Sequence, residues 1–262
     1  MDFTSIVLDG CAAWGIETSP EAVARMEAFA GLLIEKNRVM NLTAVTEPEE
    51  IARRHMLDCV FLRKCGVEVG KRILDIGCGA GFPTMPLLCH EPRLNITSLD
   101  STAKRIKFIQ DSCDTLGLQV NAVAARAEEF IAKPGMREGF DVVTSRAVAP
   151  LNVLAELCLP YLKVGGLFLP LKSKNANAEQ EIEQGRSAIR ALGGNVTVHE
   201  DGLTIVGGAL RGGCVDSLND HRIAMLAAIA SAVCPEGVEL LGHEAVAKSY
   251  PNFWNDFKNL VI

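Results

Sequence analysis

The stretch ILDIGCGAGFP, residues 73–83, constrains the fold more than any other part of this chain of 262 residues. Ile73, Leu74 and Ile76 run into glycines at alternate positions, Gly77, Gly79 and Gly81, and Phe82-Pro83 then opens a new segment. An apolar run that stops at clustered glycines reads as a buried strand entering a tight turn. A proline just beyond suits the first turn of a helix. A turn without Cβ atoms lets a ligand of nucleotide shape lie directly against the backbone. The next apolar run, LNITSLD (94–100), ends in Asp100, roughly 20 residues past the turn, where a nucleotide-binding βαβ unit places its ribose carboxylate.

From Lys71 onward strands and helices alternate. The pattern predicts strands at 71–76, 94–99, 119–124, 140–144 and 164–171, and helices at 83–90, 103–116, 127–131 and 150–161. Such alternation means a parallel sheet with right-handed crossovers, so the glycine turn and Asp100 share the carboxyl edge where open α/β sheets take ligands. The first 65 residues read as helices instead. Ser19-Pro20-Glu21 is a helix start with Ser19 as N-cap, and Ala22, Met26, Phe29 and Leu33 recur at helical spacing. TEPE (46–49) reads as a capping box, Thr46 with Glu49, opening a helix that carries Arg53, Arg54, His55 and Asp58.

Composition narrows the classes. Apolar residues make up 48% of the chain, yet no run approaches the about 18 that a membrane span needs. The N-terminus has no basic stretch of the kind that begins a signal peptide, and a cytoplasmic protein is expected. Nine scattered cysteines form no CxxC pair, which fits small buried hydrophobes in a reducing compartment better than a zinc site or a disulfide framework. The net charge of −6 is uneven: residues 196–262 hold 4 Lys and Arg against 8 Asp and Glu, so the front of the chain can still carry a basic face.

Several residues at the expected carboxyl edge are candidates for a site. Asp75 before the first glycine and the DIGCGAG spelling favour S-adenosylmethionine over NAD, whose fingerprint is GxGxxG. Asp75, Gly77, Gly79 and Asp100 would then hold the cofactor. Phe82 lies at the mouth of the first helix, suited either to adenosine or to plain core. Ala127 and Glu128, in ARAEEF, follow the third strand where an adenine contact belongs, although a carboxylate opening a helix also suits the helix dipole. Arg146, in TSRAVAP, is a cation at the end of the fourth strand. No Ser-His-Asp arrangement or GxxxxGK phosphate cradle accompanies them.

With these strings in hand, residues 1 to about 190 resemble the bacterial 16S ribosomal RNA guanine-N7 methyltransferase family, also called glucose-inhibited division protein B. The resemblance rests on NLTAVTEPEEIARRHMLDC (41–59), ILDIGCGAGFP, LDSTAKRIKFI (99–109), RAEEF (126–130), SRAVAPL (145–151) and LPLKS (169–173), in that order. It implies cofactor contacts at Gly77, Phe82, Ala127, Glu128 and Arg146. It also implies that Arg53, Arg54, His55 and Lys172 lie near the RNA or the reacting centre. Arg146, Lys172 and His55 are the catalytic candidates, and Arg53, Arg54, Lys36 and Arg38 the RNA-binding ones. The partner implied is 16S rRNA or the small ribosomal subunit, met by a monomer. Three positions depart from the family's pattern: Cys59 stands for Ser, Thr84 for the Gly after Pro83, and Ser173 for the Gly of LKG. The implied chemistry asks little of side chains. Guanine N7 carries a lone pair and no proton, so methyl transfer there needs positioning rather than a general base.

From about Asn195 the resemblance changes. NVTVHEDGLTIVGGALRGGCVDSLNDHRIAM (195–225) and AVAKSYPNFWNDF (245–257) look like the carboxyl end of 3-phosphoshikimate 1-carboxyvinyltransferase. AIRALGG (188–194) fits both families, so the join is expected there. In the second family His221, Arg222 and Lys248 would hold phosphoenolpyruvate, but only about the last sixth of that enzyme is here, and these residues read as relics. The expected architecture is a helical region (1–65), a Rossmann-like S-adenosylmethionine-binding core of α/β class (66–194) and a foreign α/β tail (195–262). NVTVHE and LTIVGG, separated by Asp201-Gly202, are a hairpin signal and would cover the sheet edge beside strand 164–171. Beyond it the reading expects a loop, a helix over 220–233 and a poorly anchored end. The competing functions are an enolpyruvyl transferase fragment and a catalytically inactive fusion.

Overall fold

The computed structural model describes residues 2–146, 151–171, 178–199, 202–206 and 208–260. The chain divides into two compact units, 1–146 with 161–163 and 147–160 with 164–262.

The first unit opens with helices α1 (Phe3–Ala13) and α2 (Pro20–Met40). Asp2 caps α1 by accepting from Ser5 N at 2.8 Å, and Ser19 caps α2 by accepting from Ala22 N at 3.2 Å, with Pro20 in the first turn. The apolar face of α2 buries Met26, Phe29 and Leu33. Phe29 meets the ring of Phe82 at 5.8 Å and that of Phe108 at 6.2 Å, which packs α2 against the glycine turn. The next helix differs from its expected start: α3 is Pro48–Ile51, and its N-cap is Glu47 rather than Thr46. Proline is favoured at the first helical position, and placing Pro48 there moves the cap one residue past Thr46. The helix then widens into a π-helical turn, Ala52–Leu57, before α4 (Asp58–Val60) and a 3-10 turn, Phe61–Arg63.

The remaining elements of this unit are β1 (Arg72–Ile76), α5 (Thr84–His90), β2 (Asn95–Asp100), α6 (Ala103–Leu116), β3 (Asn121–Ala124), α7 (Ala127–Phe130) and β4 (Phe140–Arg146). The four strands are parallel in the order β3-β2-β1-β4. β1, β2 and β4 are buried almost continuously, as expected of parallel strands covered on both faces. The register pairs Ile76 with Leu99 and with Ser145, and Asp100 with Ala124. The glycine turn, Asp100, the start of α7 and Arg146 therefore emerge along one carboxyl edge.

The second unit holds α8 (Leu151–Cys158), a 3-10 turn (Leu159–Tyr161) whose last residue counts with the first unit, and β5 (Leu162–Leu171). It continues with α9 (Ala178–Ala191), β6 (Asn195–His199), β7 (Gly202–Val206), β8 (Gly213–Asp216), α10 (His221–Ser231), β9 (Val238–Leu241), a 3-10 segment (His243–Lys248) and α11 (Phe253–Leu260). The hairpin forms as its sequence predicts. β6 pairs antiparallel with β7, and β7 lies antiparallel to β5 through Leu167–Val206 and Phe168–Ile205. The chain end departs from expectation. β8 and β9 are parallel neighbours with α10 between them in sequence, and α10 is buried from two sides. Ile223, Ala227 and Ala230 meet Ala188 and Leu192 of α9, while Ala224 and Ala228 meet Val246 and Phe253. Alanines on both sides let neighbours approach closely, so the end is packed rather than loose, and Phe253 is only 7% exposed.

Ile223→Ala should therefore cost the second unit about 2–5 kcal/mol, the range for emptying a core isoleucine site. The two tryptophans fall one in each unit, Trp14 and Trp254. A Trp14→Phe background leaves Trp254 fluorescence to report on this unit in urea. An unchanged midpoint would show that α10 contributes nothing to the stability of the tail.

Candidate active site

The glycine turn is built by backbone bonds to the neighbouring strand. Gly77 N and Cys78 N both donate to Leu99 O, at 2.7 and 3.2 Å, carrying β1 past its end alongside β2. Gly79 N donates to Asp100 Oδ2 at 3.0 Å and Thr102 N to Asp100 Oδ1 at 2.8 Å. One carboxylate thus ties the turn to the start of α6, with Arg105 Nη1 3.7 Å from Oδ2. Two glycines are required for different reasons. Gly79 has φ +54°, and a Cβ there would meet nothing nearer than Gly77 O at 3.8 Å, so the backbone is open to a ligand on that side. At Gly81, φ +96°, a Cβ would stand 2.6 Å from Met85 Cγ, so this glycine admits the first turn of α5.

Beneath the turn lies Asp75, 1% exposed. Its Oδ2 accepts from Thr84 Oγ1 at 2.7 Å and from Thr84 N at 3.3 Å, and Thr84 Oγ1 is 2.7 Å from Ser98 Oγ. Thr84 is thus the group that joins β1, β2 and the start of α5. Burial pushes the Asp75 carboxyl up to about 7, against the hydrogen bonds from Thr84 that pull it down. Its Oδ1 is buried without a hydrogen-bond partner among the described residues. The open backbone at Gly79, the Asp100 carboxylate beside it and this orphaned oxygen below fit a ligand bearing hydroxyls and an ammonium group.

A second cluster closes the same edge. From the end of β4, Arg146 Nη2 donates to Arg54 O at 2.5 Å and to His55 Nδ1 at 3.1 Å, and lies 3.5 Å from Asp58 Oδ2. Arg146 Nη1 donates to Cys59 Sγ at 3.3 Å, and the guanidinium lies 5.5 Å from the Phe82 ring centre. Phe82 and His55 are in ring contact at 4.5 Å. Because His55 Nδ1 accepts from Arg146, Nε2 carries the proton, and it donates to Thr43 Oγ1 at 3.1 Å. Burial, then the Arg146 charge, lowers His55 to about 4. Burial likewise pushes the Cys59 thiol up to about 12. His55 is a neutral ring with both nitrogens engaged, suited to positioning rather than to proton transfer.

The other expected residues are placed as follows. β3 ends against Asp100, where Ala125 N donates to Asp100 O at 3.1 Å, so Ala127 and Glu128 start α7 on the same edge. The Ala127 carbonyl accepts from Tyr161 Oη at 2.5 Å, and exposed Glu128 lies 3.3 Å from Arg126. Arg53 and Arg54 are exposed on the π-helical turn, Arg54 with Glu50 at 3.1 Å. Lys36 and Arg38 flank Asn37, a residue the sequence reading missed. Asn37 Oδ1 accepts from Leu42 N and Thr43 N, and Asn37 Nδ2 donates to Thr43 O, which delivers Thr43 to His55. Its signal was local: an amide side chain just before a helix end can bond the backbone that follows. Lys172 lies outside the described residues. In the tail, Lys248 Nζ donates to Asn219 O at 2.7 Å, and Arg222 is held by both oxygens of Asp220, at 3.0 and 2.6 Å. These former anion-holding candidates are engaged by their own neighbours.

The family model described as rRNA small subunit methyltransferase G matches residues 22–201, and that described as EPSP synthase (3-phosphoshikimate 1-carboxyvinyltransferase) matches residues 179–257. The ribosomal RNA small subunit methyltransferase G of Lachnoclostridium phytofermentans is 42% identical over 194 residues, covering 73% of this chain and 79% of that protein. The protein of the same description from Geobacillus thermodenitrificans is 45% identical over 190 residues, 71% of this chain and 78% of its own. Among solved structures, a Corynebacterium glutamicum protein superposes with a TM-score of 0.50 at 17% identity, over 78% of this chain and 96% of its own, a likeness of fold alone.

A neutral His55 has a direct readout. Its ring should titrate near 4 by NMR, and Arg146→Met should move that midpoint up. Between 4 and the unfolded value of about 6.5 the folded ring binds fewer protons than the unfolded one, so its contribution to stability is lost as pH falls through that window. Asp75 acts oppositely: held up to about 7, its contribution is lost as pH rises from about 3.9 through 7. Melting curves sum the two, so the ring itself must be observed. A wild-type midpoint near 6.5 would refute the neutral, engaged imidazole.

Proposed function

Because the chain belongs to the rRNA small subunit methyltransferase G family, whose members methylate ribosomal RNA with S-adenosylmethionine, we propose that it methylates N7 of a guanine in small-subunit rRNA. The observation that carries this reading is the carboxyl edge itself. A glycine turn open at Gly79 and pinned by Asp100 stands beside a positioned cluster of Arg146, His55 and Phe82, with no proton-transfer pair among its described residues. Bound S-adenosylmethionine supplies an electrophilic methyl group on a sulfonium sulfur.

The chain's own residues then have separable tasks. Asp100 accepts hydroxyls at the turn, and Gly77 and Gly79 let the backbone approach. Asp75 and Thr84 hold the turn's geometry from below, and Phe82, Ala127 and Glu128 border the base. Arg146 fixes the π-helical turn to the end of β4 through the Arg54 carbonyl and His55, so that Arg53 and Arg54 face RNA phosphates together with Lys36 and Arg38. A π-helical turn within an α-helix commonly marks a functional segment. Lys172 completes the proposed catalytic set with Arg146 and His55. Methylating N7 requires no base, so alignment of donor and acceptor is the main catalytic demand. Among the described residues no helix is long and apolar enough to cross a membrane. The proposed working form is a cytoplasmic monomer, with the tail from about 195 serving the fold rather than enolpyruvyl transfer.

The deciding experiment is methylation of small-subunit RNA from a strain lacking this modification, with the modified base mapped. Methyl transfer to a position other than guanine N7 would remove the proposal. For the cofactor, Asp100→Ala should weaken S-adenosylmethionine by about ten- to a hundredfold in calorimetry, the loss expected for charge-assisted bonds of about 1.5–3 kcal/mol. Unchanged affinity would take Asp100 out of the site. For RNA, Arg53→Ala and Arg54→Ala should each weaken binding and lower the salt slope by about 1, with cofactor affinity intact. A matched fall in both affinities would instead indicate misfolding.

A further inference from the structure

The segment that follows β3 has little support of its own. α7 has four residues, Ala127–Phe130, and no side chain caps its start. A helix of one turn gains too little from its own hydrogen bonds to fix its direction. One residue from a distant part of the chain holds both its ends. Tyr161, the last residue of the 3-10 turn before β5, is buried. Its Oη donates to the Ala127 carbonyl at 2.5 Å, and its ring stacks on buried Phe130 with centres 6.1 Å apart. The same ring meets Phe140, at the start of β4, at 6.0 Å. Tyr161 therefore ties α7 to a core strand.

The hydroxyl does more than pack. The Ala127 oxygen also accepts from Ile131 N at 3.1 Å, so two donors fill its two lone pairs. A peptide unit is planar, and its N–H points away from its carbonyl. Fixing the Ala127 carbonyl from one side thus aims the Glu128 N–H to the other. That N–H is the main cause that holds the Glu128 carboxyl below its usual range. The Glu128 side chain therefore folds back over the peptide that Tyr161 aims, and Arg126 Nη2 donates to one of its oxygens at 3.3 Å. A buried hydroxyl, a carbonyl, a planar peptide and an exposed carboxylate form one linkage.

We propose that Tyr161 is a positioning residue for base recognition, aiming the Glu128 carboxylate through the Ala127–Glu128 peptide so that it accepts from the exocyclic amino group of adenine. The inference rests on the S-adenosylmethionine reading, in which Ala127 and Glu128 border the base. Adenine offers an amino donor on that edge, whereas hypoxanthine places an oxo acceptor there. A carboxylate accepts from the first and repels the second, so this linkage sets a preference for adenosine. Tyr161 acts through Ala127.

The test is calorimetric binding to the full chain, with S-adenosylhomocysteine and S-inosylhomocysteine as probes. The two differ only in the edge of the base. Wild type should prefer the adenine compound by about ten- to a hundredfold, the value of a hydrogen bond to a charged acceptor. Tyr161→Phe keeps both ring contacts and removes only the hydroxyl. It should weaken S-adenosylhomocysteine about fivefold, as for one neutral hydrogen bond, and leave S-inosylhomocysteine within about twofold. Glu128→Ala should remove the preference, and adding Tyr161→Phe to it should change nothing further, since both act on one linkage. An equal loss for both compounds in Tyr161→Phe would overturn the proposal, because the hydroxyl would then serve the fold alone. So would additive effects in the double variant, an unaltered preference in Tyr161→Phe, or a wild type that bound both compounds alike. If wild type bound neither compound, the S-adenosylmethionine reading itself would fall, an outcome distinct from all of these.

Discussion

Two carboxylates hold the turn between β1 and α5, and the site depends on both. Asp100 reaches across from β2 to Gly79 N and Thr102 N, fixing the turn and the next helix start to one point. Asp75 holds the turn from below through Thr84, which also contacts Ser98 on β2. Burying a carboxyl group is costly, and burial is the main cause that pushes Asp75 up. The Thr84 hydroxyl offsets part of it. A glycine at 84 would leave Asp75 Oδ2 only a backbone partner.

Arg146 performs the equivalent task at the other end of the edge. It donates to the Arg54 carbonyl of the π-helical turn, and it fixes the His55 tautomer through Nδ1. Thr43 and Asn37 extend the linkage back to α2. The helical front is thus coupled to the methyl-transfer edge by a continuous set of hydrogen bonds. That arrangement suits an enzyme whose main task is to present one base to one methyl group.

The second unit holds the stretch that matches the second family model. β5 would expose an unpaired edge, and the β6–β7 hairpin covers it, because strand pairing is a backbone property. Side chains are more demanding, and α9 meets that demand. It lies in the stretch matched by both families, and its Ala188 and Leu192 pack against Ile223 and Ala227 of α10. α9 thus falls where the two family matches overlap and packs against the helix that follows.

The strand–helix alternation, the glycine turn, Asp100 at the next strand end and the hairpin over 195–206 were all legible from residue order, since each is a local pattern with a period or a turn chemistry of its own. The start of α3 was misread because a threonine–glutamate spacing and a proline competed, and the proline moved the cap to Glu47. The tail's end was misread because the partners of α10 lie more than 30 residues away in sequence on one side and on the 3-10 segment His243–Lys248 and α11 on the other. His55, Arg146 and Phe82 were each visible as separate candidates. Only the tertiary structure brought residues 55, 82 and 146 into one contact, assigned both imidazole nitrogens and gave the two carboxylates different partners, Thr84 for Asp75 and the Gly79 and Thr102 backbone for Asp100. Composition and spacing determine which groups a chain can offer; burial and the direction of each hydrogen bond, which arise only when distant segments pack, decide what those groups can do.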